Sequence, residues 1–183
     1  SLYTNVAIQK TGYAEVMPGQ NIRYTFSGIA NNSTTSLTSF YWRDTLSVEA
    51  VRLTKITTGT YNAAGNYKIV YKVNGAGAYR TLADNLSTTK NYVLDMRPAV
   101  IGLAANERVT EIMFVFGTVP AGFAQVETPT LYGTVHGSLS NGTSLVNSAD
   151  IGGLYNGQWI QAVSRWLTTV YAKNTMTLPK TGY

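Results

Sequence analysis

The stretch NIRYTFS at residues 21–27 shows most directly how this chain folds. Its apolar side chains Ile22, Tyr24 and Phe26 alternate with polar ones, and this period of two places them on one face of a β-strand. Similar runs recur between turn-forming residues, at 2–9, 37–45, 48–57, 67–73, 91–96, 108–118 and 130–136. We therefore predict an all-β fold in which two antiparallel sheets pack face to face.

One further segment fits two patterns. Its large apolar side chains fall at helical spacing, whereas its content of Trp, Thr, Val and Tyr favours a strand. These side chains are Trp159, Val163, Trp166, Leu167 and Val170. We predict a strand here, because β-branched and aromatic residues dominate the composition.

The composition limits the functions that are open to the chain. Its 183 residues can bury one core, and we predict a single domain over residues 1–173. The chain has no cysteine, so neither a disulfide framework nor a thiolate metal site is available. The net charge of +5 comes from scattered Lys and Arg, so nucleic acid is not an expected partner. No apolar stretch reaches the roughly 20 residues that a transmembrane helix needs, so we expect no membrane span in this chain.

The residues that could support enzyme chemistry are few. His136 is the only histidine, and it lies in an alternating run typical of an ordinary strand. No nucleophile elbow, metal-ligand spacing or phosphate-binding loop accompanies it. A glycosidase would need two carboxylates facing each other in a cleft, and nothing in the sequence places a pair there. We predict no enzyme activity beyond one self-modification, and no cofactor or metal.

Several motifs together resemble the immunoglobulin-like repeat modules of Gram-positive surface proteins, the stalk class that includes the collagen adhesins. Lys10 ends an apolar run, Pro18-Gly19 precedes the alternating strand, and a later strand closes in Asp44-Thr45-Leu46. Near the other end, SLVNSA at 144–149 is similar to the segment that closes such modules. The resemblance covers the first 57 residues well and 141–171 moderately. Residues 60–130 fit as extra strands of an immunoglobulin-like sandwich.

The resemblance implies an intramolecular isopeptide bond. In such modules a buried lysine amine attacks an asparagine carboxamide beside a protonated acid, and ammonia leaves. Carried over to this sequence, Lys10 is the nucleophile, Asp44 the acid and Asn147 the acceptor. Burial favours this reaction because it stabilises the neutral amine and the neutral acid. The aromatic side chains available to line this site and exclude water are Tyr24, Phe26 and Trp42.

Two other interpretations of these residues stay open. Lys10 and Asp44 could form a plain salt bridge while Asn147 caps a turn. Alternatively, the acid could be a glutamate, as in pilin modules whose closing signature resembles FAQVETP at 123–129, which contains Glu127.

The peptide Leu178-Pro179-Lys180-Thr181-Gly182 is similar to the sortase recognition pentapeptide Leu-Pro-x-Thr-Gly. It follows a polar spacer, where an extended peptide is accessible to a transpeptidase. The resemblance implies that residues 174–183 are an anchoring peptide, cleaved after Thr181 and joined to an amine of peptidoglycan or a pilus. In the family an apolar span and a basic tail follow, so we expect a trimmed segment or a different mode of anchoring.

The predicted function is therefore an extracellular, cell-wall-anchored stalk or adhesin module whose host ligand the sequence does not indicate. The alternative is a carbohydrate-binding sandwich, because exposed aromatic side chains can stack on sugars. Its candidate platform is Trp42, Trp159, Trp166 and Tyr155.

Overall fold

The computed structural model describes residues 1–46 and 50–173. The elements in these ranges are β1 (Val6–Thr11), β2 (Glu15–Val16), β3 (Asn21–Asn31), β4 (Leu37–Thr45), β5 (Val51–Thr57), β6 (Asn66–Val73), β7 (Ala76–Ser87), β8 (Val93–Asp95), α1 (Pro98–Ile101), β9 (Val109–Val119), β10 (Thr130–Val135), β11 (Ser144–Tyr155) and β12 (Gln158–Val170). No helix in these ranges is long and apolar enough to cross a membrane.

The strands form two sheets that face each other. One sheet has the order β1-β3-β10-β5-β8, and the other has the order β2-β12-β11-β4-β9-β6-β7. Neighbouring strands run antiparallel, apart from the two-residue parallel pairing of β2 with β12. The predicted all-β, antiparallel sandwich with extra strands is confirmed.

The core lies between the two sheets and is rich in aromatic side chains. Ile22, Tyr24 and Phe26 of β3 are all buried, as their alternation predicts. From the opposite sheet, the Trp42 ring centroid lies 4.8 Å from that of Phe26 and 4.1 Å from that of Phe114. Interleaving of large rings from both sheets excludes water from this part of the sandwich.

Most predicted strands occur close to their predicted positions. β4 spans residues 37–45 as predicted, and the ambiguous segment is strand β12. The start of the predicted run 48–57 lies outside the described residues, and β5 occupies its remainder from Val51. The predicted runs do not include strands β2, β7 and β11 or helix α1, although the closing motif at 144–149 lies in β11.

A seam of hydrogen bonds joins the first strand of one sheet to the last strand of the other. The backbone N–H of Lys10 donates to the Ser164 hydroxyl at 2.9 Å. The Trp166 indole N–H and the Thr168 hydroxyl both donate to the carbonyl of Tyr13, at 2.9 and 2.7 Å. These bonds hold the end of β1, and Tyr13 just after it, against β12.

Candidate functional site

Three strands each direct one polar side chain into the core. Lys10 follows Val6 and Ile8 on the buried face of β1, and Asp44 follows Trp42 on the buried face of β4. Asn147 lies between two buried apolar residues on the inner face of β11. Lys10, Asp44 and Asn147 are 1%, 0% and 2% exposed. Lysine, aspartate and asparagine are rarely buried so fully, so their shared location needs a reason.

The Lys10 ammonium group has one charged partner and two aromatic walls. Its Nζ contacts Oδ1 of Asp44. It also lies 4.1 Å from the centroid of the Tyr24 ring and 5.0 Å from that of Phe26. Burial lowers the pKa of Lys10, and the attraction of Asp44 opposes that shift only in part. The site therefore favours the neutral amine more than water does.

The Asp44 carboxyl group is shifted in the opposite direction. Burial raises its pKa, while Lys10 and then Asn147 act to lower it. In water the pKa values of lysine and aspartate differ by about 6 units, so proton transfer between them is very unfavourable. Burial brings the two values together. Moving one proton from Lys10 to Asp44 then gives a neutral amine beside a protonated acid.

The Asn147 amide completes the group and has unused hydrogen-bonding capacity. It lies close enough to Asp44 and Tyr24 to lower the pKa of each. Nevertheless, neither its Nδ2 nor its Oδ1 makes a hydrogen bond of good geometry within the described ranges, and Oδ2 of Asp44 also lacks one. Each such buried group costs about 1–3 kcal/mol. The structure thus brings all three predicted residues together in a buried polar cluster whose hydrogen bonding is incomplete.

Gly12 supports the wall above Lys10, although it is not among the predicted site residues. A Cβ atom on Gly12 would lie 2.8 Å from the Tyr24 ring and 3.1 Å from that of Trp166. Only a glycine lets both rings approach the end of β1 this closely. Its position two residues after Lys10 was the available indication in the sequence of a packing role.

Glu127, the alternative acid, lies elsewhere. Its side chain is exposed in the loop between β9 and β10. Its backbone N–H donates to the hydroxyl of Thr60 at 3.1 Å, and its carbonyl accepts from the Thr60 N–H at 3.2 Å. A carboxyl group held at the surface cannot contact the fully buried Lys10 amine. Asp44 is therefore the acid that this geometry offers to Lys10.

The candidate sugar platform is not brought together. Trp42 is fully buried, whereas Trp159 is 50% exposed on the outer face of its sheet. Trp166 points to the inner side and uses its N–H in the β1 seam. Tyr155, at the end of β11, is half-buried and packs against the core. Three of the four candidate residues are thus used in packing.

The remaining predicted features lie away from this cluster. His136 follows the end of β10 rather than lying within it; its ring is exposed, and its Nδ1 lies 2.9 Å from the Ser138 hydroxyl. Across residues 1–46 and 50–173, no three His, Asp or Glu side chains gather as a metal site would require. The pentapeptide 178–182 lies outside the described residues.

No protein-family model matches the chain, and no curated protein is significantly similar to it. Among solved structures, a cohesin module from a Clostridium perfringens family 33 glycoside hydrolase is similar at 11% identity and a TM-score of 0.47, over 94% of this chain and 100% of that chain. The collagen-binding subdomain of the Enterococcus faecalis surface protein ACE is similar at 12% identity and a TM-score of 0.36, over 90% of this chain and 95% of that chain. The collagen-binding domain of a Staphylococcus aureus adhesin is similar at 12% identity and a TM-score of 0.35, over 90% of this chain and 100% of that chain.

Proposed function

We propose that this chain is a structural module of a bacterial surface protein that cross-links itself through an amide bond between Lys10 and Asn147. The observation that carries the proposal is the cluster itself. A lysine, an aspartate and an asparagine lie together in a buried aromatic pocket, where Asp44 and Asn147 each have polar atoms without a hydrogen bond.

The reaction balances without any external reagent. One proton moves from Lys10 to Asp44, and the neutral Nζ attacks Cγ of Asn147 while the protonated acid donates a hydrogen bond to the amide oxygen. The tetrahedral intermediate collapses, the C–Nδ2 bond breaks, and Asp44 transfers the proton to the departing nitrogen. The products are one secondary amide and one molecule of ammonia, and the Asp44 carboxylate regains its proton from the new amide nitrogen.

Energetics favour the bond over a permanent ion pair. Burying a lysine and an aspartate costs several kcal/mol per ion, and their attraction offsets this only when every remaining polar atom is hydrogen-bonded. Here Oδ2 of Asp44 and both polar atoms of Asn147 lack hydrogen bonds of good geometry within the described ranges. Amide formation removes the ammonium charge and the Asn147 NH₂ group together. It leaves one N–H, for which Asp44 is a suitable acceptor.

The position of the bond suits a load-bearing module. It would join β1 of one sheet to β11 of the other, close to both ends of the described chain. By analogy with a disulfide, closing a loop from Lys10 to Asn147 would stabilise the fold by about 5 kcal/mol. Such a cross-link prevents β1 from peeling away under force, in a chain that has no cysteine to do so.

Peptide mapping tests the proposal at residue level. We expect a digest of the folded protein to contain one branched peptide that joins Lys10 to Asn147, identified by tandem mass spectrometry. Glu127→Gln should retain this peptide, whereas Asn147→Ala should lose it. Unbranched peptides carrying free Lys10 and Asn147 from fully folded protein would contradict the proposal.

The second part of the proposal concerns attachment. The Leu178 to Gly182 pentapeptide supports covalent anchoring through Thr181 by a sortase, with peptidoglycan or a pilus amine as acceptor. A sortase specific for Leu-Pro-x-Thr-Gly should transfer the chain to an added glycine-based amine and release the residues after Thr181. Thr181→Ala should block transfer while leaving the melting temperature unchanged. Equal reaction of both proteins would contradict the anchoring proposal alone.

A further inference from the structure

The edge of the seven-stranded sheet at β12 is long, flat and almost uncharged. β12 pairs with β11 through twelve consecutive residues without a bulge, and Arg165 is its one charged residue. In backbone pairing, β2 covers this edge only at Thr169 and Val170, while β1 bonds to β12 through the Ser164 side chain. The outward side chains of Trp159, Val163 and Leu167 are 50%, 58% and 53% exposed.

The opposite edge of the same sheet is protected in the usual ways. β7 pairs with β6 through three register irregularities, and it carries Arg80 and Asp84. Gly77 and Asn85 in this strand have positive φ angles, which further disrupt its edge. Bulges and charges are common devices that prevent one sheet edge from pairing with another. β12 has no bulge in its pairing with β11, so its edge is suited to pair.

The free edge presents a regular row of backbone donors. The N–H of Thr169 bonds to Ala14 of the β2 side, and the N–H of Val170 bonds to Thr143 of the β11 side. The direction of the backbone N–H groups alternates along a strand. The odd-numbered residues from 159 to 167 therefore direct their N–H groups to the free edge. Within residues 1–46 and 50–173, no strand pairs with β12 on this side at those positions.

We infer that this edge binds the same edge of a second copy of the chain, so that two β12 strands pair antiparallel around a two-fold axis at Val163. The sequence of β12 is self-complementary in this register. Arg165 of one copy lies opposite Gln161 of the other, so the single cation never meets itself. Trp159 lies opposite Leu167 and Val163 opposite Val163, so each exposed apolar side chain meets an apolar side chain of the other copy.

The free length of β12 fits this register. Its first residue, Gln158, would lie opposite Thr168, the last residue before β2 begins to pair at Thr169. The tight turn at Asn156 and Gly157, both with positive φ, ends the incoming strand at that point. The second copy and β2 would therefore lie end to end along β12 without competing. Pairing of one strand buries little surface, so the dimer should be weak and concentration-dependent.

Sedimentation analysis across a concentration series tests this inference. We expect the wild-type chain to shift from monomer to dimer at high micromolar concentration. Val163→Lys places two ammonium groups side by side at the axis and should raise the dissociation constant about tenfold or more. Val163→Pro removes an outward N–H without disturbing the ladder to β11, and should do the same.

Two matched control variants distinguish dimerisation through the β12 edge from association through another surface. Val126→Lys, at a 66% exposed loop residue, and Val146→Lys, on the outer face of β11, should both dimerise like the wild type. A monomeric wild-type chain at all concentrations would overturn the inference. Loss of the dimer in Val146→Lys as large as in Val163→Lys would also overturn it, because association would then use the sheet face. Melting temperatures that match across the variants exclude misfolding as the cause.

Discussion

Strands β4 and β11 carry two polar clusters on opposite faces of one sheet. On the outer face, Arg43 Nη2 lies 2.8 Å from Oδ2 of Asp150 and its Nε lies 2.9 Å from Oδ1. The Tyr41 hydroxyl donates to the same carboxylate at 2.8 Å. On the inner face, Asp44 comes one residue after Arg43, and Asn147 comes three residues before Asp150. Asp44 lies there with Lys10 and with the Asn147 amide, which has no good hydrogen bond. The outer cluster is hydrogen-bonded and partly exposed to solvent. The inner cluster is fully buried and leaves polar atoms without hydrogen bonds.

The two cations respond oppositely to these surroundings. Hydrogen bonding to Asp150 raises the pKa of Arg43, so the outer pair is more firmly ionised in the fold. Burial lowers the pKa of Lys10, so the inner pair is less firmly ionised. The same two strands thus hold a structural ion pair and a group poised for reaction, and the difference is solvent access.

Loss of the inner lysine should have the largest effect. Lys10→Met retains an apolar chain of similar length but removes the nucleophile. Loss of about 5 kcal/mol should lower the melting temperature by about 10–20 °C in a domain of this size. Arg43→Met breaks a partly exposed pair and should cost about 1 kcal/mol or less. Scanning calorimetry gives both values, and equal losses would show that the inner pair is only another ion pair.

Replacement of the acids should separate reaction from charge. Asp44→Asn keeps the shape of the side chain but removes the acid, so most of the folded protein should retain an unreacted Lys10. Asp150→Asn makes the same change on the outer face and should leave the cross-link complete. The reacted fraction is read from the mass of each variant. A complete cross-link in Asp44→Asn would remove Asp44 from the mechanism.

The pH dependence of an unreacted variant should report the buried pair directly. In Asn147→Ala, the raised pKa of Asp44 makes the free energy of unfolding fall as pH rises from about 3.9, the pKa in the unfolded chain. The lowered pKa of Lys10 makes it rise again as pH approaches about 10.4. Denaturant titrations should therefore show a minimum near neutral pH. The triple variant Lys10→Met, Asp44→Asn, Asn147→Ala should lose this minimum in the free energy of unfolding. A minimum that persists in the triple variant would come from the titration of other groups.

A change at Gly12, which packs against the Tyr24 ring beside Lys10, should have the smallest of these effects. Gly12→Ala pushes the Tyr24 ring by a few tenths of an ångström and should slow cross-linking about tenfold, which corresponds to 1.36 kcal/mol of barrier. The matched change Gly65→Ala meets no atom within 4 Å. Because denaturant does not break an amide bond, the two rates are compared on freshly synthesised chains, by timed mass measurement as they fold. Identical rates would show that this wall does not position the reacting groups.

Most of the fold could be predicted because buried strands alternate. β3 and β4 display that period directly, and their predicted and observed positions agree closely. β7 was missed because nearly all of its side chains are exposed, so neither of its faces carries an apolar pattern. The three polar residues of the site could be named from motif resemblance. The packing of Gly12 against Tyr24 and Trp166 could not, because it depends on the seam between strands that are distant in sequence.

Intact mass of the folded wild-type chain tests the central claim most directly. The account predicts a mass lower than the sequence mass by one molecule of ammonia. Lys10→Met and Asn147→Ala should each show the full mass calculated for that variant. A wild-type mass equal to the sequence mass, in protein that unfolds cooperatively, would contradict the cross-link and leave Lys10 and Asp44 as a buried salt bridge.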